Sequence, residues 1–209
     1  MNLFLTGTDT DVGKTFFASL LVRGLRKAGL DTVAMKPICC GGREDAEILH
    51  EACGRSIPLN DVNPVWLRVP AAPYTAAMIE NRAVDLDLIR DTFARLRETH
   101  RSLIVEGAGG WLVPIRRDFF ISDLAEEFGL PIAVVVRNKL GALNHALLTV
   151  RNIQSRGLKC AGIILNNMDA AADTATTTNR SILEDLLEVP VLFEIEKDQR
   201  ELGNLGSRI

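Results

Sequence analysis

Gly7-Thr8-Asp9-Thr10-Asp11-Val12-Gly13-Lys14-Thr15 joins a run of strand character to a run of helical character. Before it, Asn2 to Thr6 (NLFLT) is an apolar run of strand length. After it, Lys14 to Ala28 places Phe17, Leu20, Leu21, Val22 and Leu25 at helical spacing, and Gly29 ends the pattern. A glycine-rich turn between a strand and a helix is the context a phosphate-binding P-loop requires. Its backbone N–H groups, with Gly13 at the start of the helix, can cradle phosphate oxygens of ATP. Lys14 would offset charge at the β and γ phosphates, and the Thr15 hydroxyl would face Mg²⁺. The strict pattern has glycine where Thr8 stands, so the loop is a variant with Gly7 one place early.

Working outward, strand-like and helix-like runs alternate. Strands are expected at Thr32 to Lys36, Ser102 to Val105, Pro131 to Val136, Cys160 to Leu165 and Pro190 to Phe193. Helices are expected at Glu44 to Ala52, Asp85 to Thr99, Ile121 to Phe128, Ala142 to Arg156 and Arg180 to Leu187. Pro58 to Pro73 is proline-rich and reads as an irregular surface excursion. Alternation of this kind implies right-handed crossovers and an α/β fold: a doubly wound, mainly parallel sheet flanked by helices, of the P-loop NTPase type. PIAVVV, the most apolar strand, should be central. Ligands of such sheets sit beyond the carboxyl ends of the strands, and the polar motifs lie there.

Composition agrees. Hydrophobic residues make up 47% of the 209 and aromatics only 5%, which suits buried parallel strands wrapped by helices. One ATP-binding domain is expected over 1–209. A net charge of −3 argues against a nucleic-acid binder. There is no apolar run of roughly 18 residues and no leader pattern, so a cytoplasmic protein without a membrane span is expected. Cys39, Cys40, Cys53 and Cys160 form no metal-ligand spacing and are expected as reduced thiols.

Three further features point to chemistry. Glu106 closes the run Ser102 to Val105, where an unpaired buried carboxylate is costly. A metal ion or a lysine partner would resolve that cost. Lys36 ends the second strand and can reach across the same crevice to an anion, the plainer alternative being a solvated strand-end lysine. Asp45, in the first turn of a short helix, suits the helix dipole and also completes a Mg²⁺ site with Thr15 and Glu106. Gly141-Ala142-Leu143-Asn144 opens a helix and could hold an anion, or be an ordinary strand-to-helix turn.

Taken together, GTDTDVGKT, MKP, VEGAGGWLVP, KLGALNHALLT and ILNN resemble dethiobiotin synthetase, over Asn2 to about Phe193. The resemblance implies an ATP-dependent cyclo-ligase of biotin biosynthesis that joins diaminopelargonic acid and carbon dioxide. It implies phosphate binding by Gly13, Lys14 and Thr15, and a metal held by Thr15, Asp45 and Glu106. Thr10, Asp11 and Lys36 would flank the diamine and its carbamate, with Lys14 and Lys36 as the catalytic cations. Gly109 would lie near the reacting groups, and Asn166 would contact adenine. Gly141, Ala142, Leu143 and Asn144 would bind the substrate carboxylate from the neighbouring subunit of a homodimer.

The chain also departs from that pattern. Cys40 stands where serine is usual on the substrate side, and Tyr74 where histidine is. Phe193 to Glu196 replaces a different tetrapeptide near the base. A tyrosine is missing from Asp173 to Ser181, where Asn179 or Ser181 would stand in. A ligase for a different amine or carboxylate is therefore one alternative. A P-loop switch or assembly ATPase is another, although Thr8 to Val12 lacks the second lysine often found in that group.

Overall fold

The computed structural model describes residues 1–168 and 173–203, so the expected domain span of 1–209 runs beyond the described residues. In chain order the elements are β1 (Asn2–Gly7), α1 (Lys14–Lys27), β2 (Thr32–Met35), β3 (Ile38–Cys40), α2 (Glu44–Ala52), α3 (Leu59–Val62), β4 (Val65–Leu67), α4 (Pro73–Ile79) and α5 (Leu86–Thr99). They continue as β5 (Ser102–Gly110), β6 (Pro114–Arg116), β7 (Phe119–Phe120), α6 (Ile121–Phe128), β8 (Ile132–Arg137), α7 (Ala142–Ser155), β9 (Cys160–Asn167), α8 (Thr174–Leu186) and β10 (Val191–Glu196).

Six strands form one sheet in the order β10-β9-β8-β1-β5-β2, and every pairing in it is parallel. The strands are near-continuous runs of buried Val, Ile, Leu and Ala, as a sheet covered on both faces demands. The run at 132–137 is central as expected: β8 lies against β1, the strand that feeds the P-loop.

Several expectations are corrected. Strand β5 does not stop before Glu106. It continues to Gly110, because Leu5 pairs with Glu106 and, past an irregularity, Gly7 pairs with Gly110. This strand lies between β1 and β2 in the sheet. The segment 58–73 is no irregular excursion. Val62, Val65 and Leu67 are buried, and β4 pairs with β3 in a small parallel sheet of its own. Helix α8 starts at Thr174, where the Asp173 side chain accepts from the Thr176 N–H at 2.7 Å.

Aromatic packing fixes two helices on the sheet. Phe93 of α5 stacks on Phe128 of α6 at 3.8 Å between centroids, and Phe128 meets Phe4 of β1 edge-on at 6.3 Å. Elsewhere Phe17 of α1 packs against Phe193 of β10. Among the described residues no helix is long and apolar enough to cross a membrane.

Phe128→Ala removes the ring shared by both contacts and should lower the unfolding free energy by about 3–5 kcal/mol. Leu88→Ala, on the exposed side of α5, should stay within about 0.5 kcal/mol of the parent. Urea unfolding midpoints of the two variants check this.

Candidate active site

The loop after β1 is held by its neighbours. The Thr8 N–H donates to the Val135 carbonyl at 3.1 Å. The Asn166 amide on β9 donates to the Val12 carbonyl at 2.9 Å. Gly13 caps α1 with φ 91°, and a Cβ there would lie 1.9 Å from the Asn166 amide nitrogen. Only glycine meets both constraints. The Lys14 ammonium curls back to the Asp9 carbonyl at 3.1 Å.

Glu106, on β5 between β1 and β2, is fully buried. Its Oε1 accepts from the Thr15 hydroxyl at 2.8 Å and from the Lys36 ammonium at 2.5 Å. Lys36, itself buried, also donates to Asp45 Oδ2 at 2.9 Å. The intervening strand therefore places its acid between the two residues meant to share it. Of the alternatives open for Lys36, the solvated one is excluded. Glu106 Oε2 is buried with no hydrogen-bond partner.

The charges are unequal. Burial pulls the Lys14 ammonium down, the nearby Lys36 charge adds to this, and three carboxylates oppose it only in part, leaving a pKa of about 8. Burial acts on Lys36 in the same sense, but the Glu106 and Asp45 carboxylates that bind it outweigh burial and hold it above its ordinary value. Partial burial pushes the Asp45 carboxyl up, yet Lys36 and Thr15 beside it bring it below its usual range.

Above this group opens a cavity of about 420 Å³, within the roughly 300–1,000 Å³ usual for small-molecule sites. Thr10, Lys36, Cys40, Asp45 and Gly109 all line it. Gly109, at φ 64°, belongs to the irregular stretch of β5 and lies beside Thr10: its Cβ would be 3.6 Å from the Thr10 hydroxyl. Asp11 is exposed and acts on Lys14 through charge alone. Asn166 stands on the far flank of the P-loop, buried, with Oδ1 unpartnered. Gly141 to Asn144 form the first turn of α7, with Gly141 and Asn144 exposed, and do not line the cavity.

The apolar wall of the cavity, Ile38, Pro70 to Pro73 and Val113, was not foreseen as a set. The alternation in Val65-Trp66-Leu67 was the available signal that the preceding segment folds back against the crevice. Tyr74 lines a different cavity, with Met78 and Arg82. Asn179 is buried and donates to Asn138 Oδ1 and the Lys139 carbonyl, so it supports the turn ahead of α7. The four cysteines are free as expected, and burial pushes the Cys39 and Cys40 thiols up to about 12 and about 11, which leaves both poor nucleophiles near neutrality.

Among the described residues no three His, Cys, Asp or Glu side chains converge as a metal cage. A cation here would rely on two acids and a hydroxyl, together with phosphate oxygens. The orphaned Glu106 oxygen beside the Thr15 hydroxyl fits such an ion.

A family described as an AAA domain matches residues 1–201. An ATP-dependent dethiobiotin synthetase of Akkermansia muciniphila is 46% identical over 93% of this chain and 91% of its own length. Proteins of the same name from Anaeromyxobacter dehalogenans and Methanococcus vannielii are 42% and 36% identical, over 99% and 97% of this chain and 98% and 89% of their own. The fold is similar to that of the septum site-determining protein MinD of Pyrococcus horikoshii solved with Mg-ADP, at TM-score 0.58 and 16% identity over 95% of this chain and 82% of that one. It is also similar to a ParA family ATPase of Chlorobium tepidum, at TM-score 0.56 and 13% identity over 94% and 85%.

A phosphate placed against Lys14 favours its charged form and raises its pKa above about 8. Nucleotide binding should therefore take up a proton above that pH, and affinity for ADP should fall as pH rises through about 8. Calorimetry at pH 7 and pH 9, in buffers of different ionisation enthalpy, measures both. Equal affinity with no proton uptake at pH 9 would refute the assignment.

Proposed function

The chain belongs to the ATP-dependent dethiobiotin synthetase family, whose members are ring-closing enzymes of biotin biosynthesis, and from that premise we propose how its own residues carry the reaction. The substrates are ATP, carbon dioxide and diaminopelargonic acid. The observation that carries the reading is the convergence of Lys14, Thr15, Lys36, Asp45 and Glu106 in one cluster, from which Lys36 and Asp45 reach a cavity also lined by Ile38, Pro70 to Pro73 and Val113. A polar floor suits a diamine and phosphates, and the Ile38, proline and Val113 wall suits an alkyl chain.

Thr10 and Lys36 hold the diamine end of the substrate, with Cys40 and Gly109 on either side. One amine, in its neutral form, adds to carbon dioxide and releases a proton to solvent, giving a carbamate whose charge the Lys36 ammonium balances. A carbamate oxygen then attacks the γ-phosphorus and ADP leaves, while Lys14 stabilises negative charge on the transferring phosphoryl oxygens. The second amine attacks the carbonyl carbon of the resulting anhydride. Phosphate is expelled and the five-membered ring closes. Asp11 tunes the charge environment of Lys14. The protein's contribution is positioning and electrostatics, with no covalent enzyme intermediate.

Thr15, Asp45 and Glu106 would hold Mg²⁺, which when bound supplies charge neutralisation between the phosphates. Asn166, whose Oδ1 lacks a partner, would accept from the adenine amino group. Gly141 to Asn144 would bind the substrate carboxylate of a second copy in a homodimer, with α7 amides as donors. The exposed Leu112, Leu140 and Leu148 near the start of α7 and beside the P-loop support a partner covering this region.

With diaminopelargonic acid, bicarbonate and Mg-ATP, dethiobiotin should appear by mass spectrometry in step with ADP. Lys14→Ala should lower that rate by about a hundredfold or more. Lys36→Ala should do the same and also strand Glu106, at a cost of about 3–5 kcal/mol in unfolding free energy. Glu106→Ala should blunt the response to a magnesium titration. ADP release indifferent to the diamine would instead favour a nucleotide switch.

A further inference from the structure

The Lys36–Asp45 pair joins two segments that nothing in the sheet holds together. Lys36 lies just past the end of β2, the outermost strand, and Asp45 sits in the first turn of α2, on a separate helix. Both are tied to one residue outside the cavity. Asn63 is fully buried. Its side-chain amide donates to the Lys36 carbonyl and to the Val65 carbonyl, each at 2.9 Å. The Lys36 N–H donates to Val62 at 2.6 Å, so both peptide groups of Lys36 are held by residues 62 and 63.

The other end of the tie is Arg43, the residue that caps α2 two positions before Asp45. Its Nε donates to Asn63 Oδ1 at 2.9 Å, and its Nη2 to the Asn63 carbonyl at 2.8 Å and to Asn60 Oδ1 at 2.9 Å. The guanidinium lies over the Trp66 ring at 5.6 Å, and the Trp66 indole donates to the Gly41 carbonyl at 2.8 Å. The turn from β3 into α2 is thereby clamped at Gly41 and at Arg43. Every side-chain hydrogen-bonding group of Asn63 is used, and none of it faces the cavity.

We propose that Arg43, through Asn63, is a positioning residue: it sets the Asp45 carboxylate at the distance from Lys36 that nucleotide-bound metal and carbamate require. A planar fork that reaches a side-chain oxygen and a main-chain oxygen of the same residue fixes direction as well as distance. Without it α2 keeps its helix and its buried face of Ala46, Leu49 and Ala52, but its first turn loses its reference to β2. Arg43 touches neither nucleotide nor substrate in this account. The inference rests on the reading that the crevice takes Mg-ATP.

The test uses Arg43→Ala in the full chain, with Arg43→Gln as the second variant if the first folds poorly. The kcat for dethiobiotin formation at saturating Mg-ATP should fall about tenfold or more, since a misplaced group far from the chemistry affects the transition state most. In an Asp45→Asn background the same substitution should cost less than about twofold, because residues acting through one another are non-additive. A second readout needs no turnover. Calorimetry with ADP alone should give equal affinity for parent and variant, and the gain in affinity on adding Mg²⁺ should shrink in Arg43→Ala. A full additive loss in the Asp45→Asn background, or an undiminished Mg²⁺ gain, overturns the positioning role. A parent protein with no Mg²⁺ gain overturns the nucleotide-site reading itself, so the two failures are distinct.

Discussion

A fully buried carboxylate within β5, flanked by the ends of β1 and β2, is the constraint around which this molecule is arranged. Glu106 is removed from water on β5, and such a group is tolerated only when ions and hydrogen bonds surround it. Lys36 and Thr15 meet that need at one oxygen, Oε1, and leave Oε2 without a partner. They can do so because β5 runs between β1 and β2. If β1 and β2 were neighbours, the P-loop threonine and the Lys36 ammonium would face each other with no acid between them. The strand order is thus a chemical requirement of the site as much as a packing solution.

Rigidity around that carboxylate comes from contacts that tolerate little change. Asn166 fills the space a Cβ on Gly13 would need and bonds to the Val12 carbonyl, so the P-loop is anchored to β9 across the sheet. On the other side, the irregular pairing of β5 beyond Glu106 turns Gly109 toward Thr10. The loop is consequently fixed from both flanks, by Asn166 on one and by Gly109 on the other.

What could be read from the chain was what is local. A strand, a glycine-rich turn and a helix are contiguous, so the loop at 7–15 declared itself, and Glu106 stood out as an acid at the end of an apolar run. Helix α6 was legible to the residue, because its apolar face repeats within a single segment. The order of strands was not legible, since each of them is a similar run of Val, Ile and Leu and their adjacency is decided by long-range packing. The extension of β5 to Gly110 was missed for the same reason: glycines have no strand preference, and only the partner Gly7 keeps them in the sheet. Val65 to Leu67 is too short a run to outweigh the prolines around it, and the burial of Asn63 depends on a carbonyl 27 residues earlier. Asn179 looked like a ligand-facing residue because it lies where the resembled family places one, yet its amide is consumed by Asn138 and Lys139.

The two lysines of the crevice show how one site can assign different tasks to the same side chain. The Lys36 charge lies close enough to depress the Lys14 ammonium. Two cations so near, both withdrawn from water, are favourable only if nearby anions are shared between them. The sharing is one-sided: Glu106 and Asp45 bond directly to Lys36, while Lys14 has a backbone carbonyl and only distant carboxylates. Lys36 is therefore a fixed charge, locked to acids whose direction is set from outside the cavity. Lys14 is an under-compensated buried cation, and under the proposed function an incoming phosphate supplies the missing negative charge. Reversing the assignment, with both acids on the P-loop lysine, would leave its charge compensated and remove the reason for a triphosphate to settle there. The position of Glu106 on β5 determines which of the two lysines is paired and which one is left with its charge uncompensated.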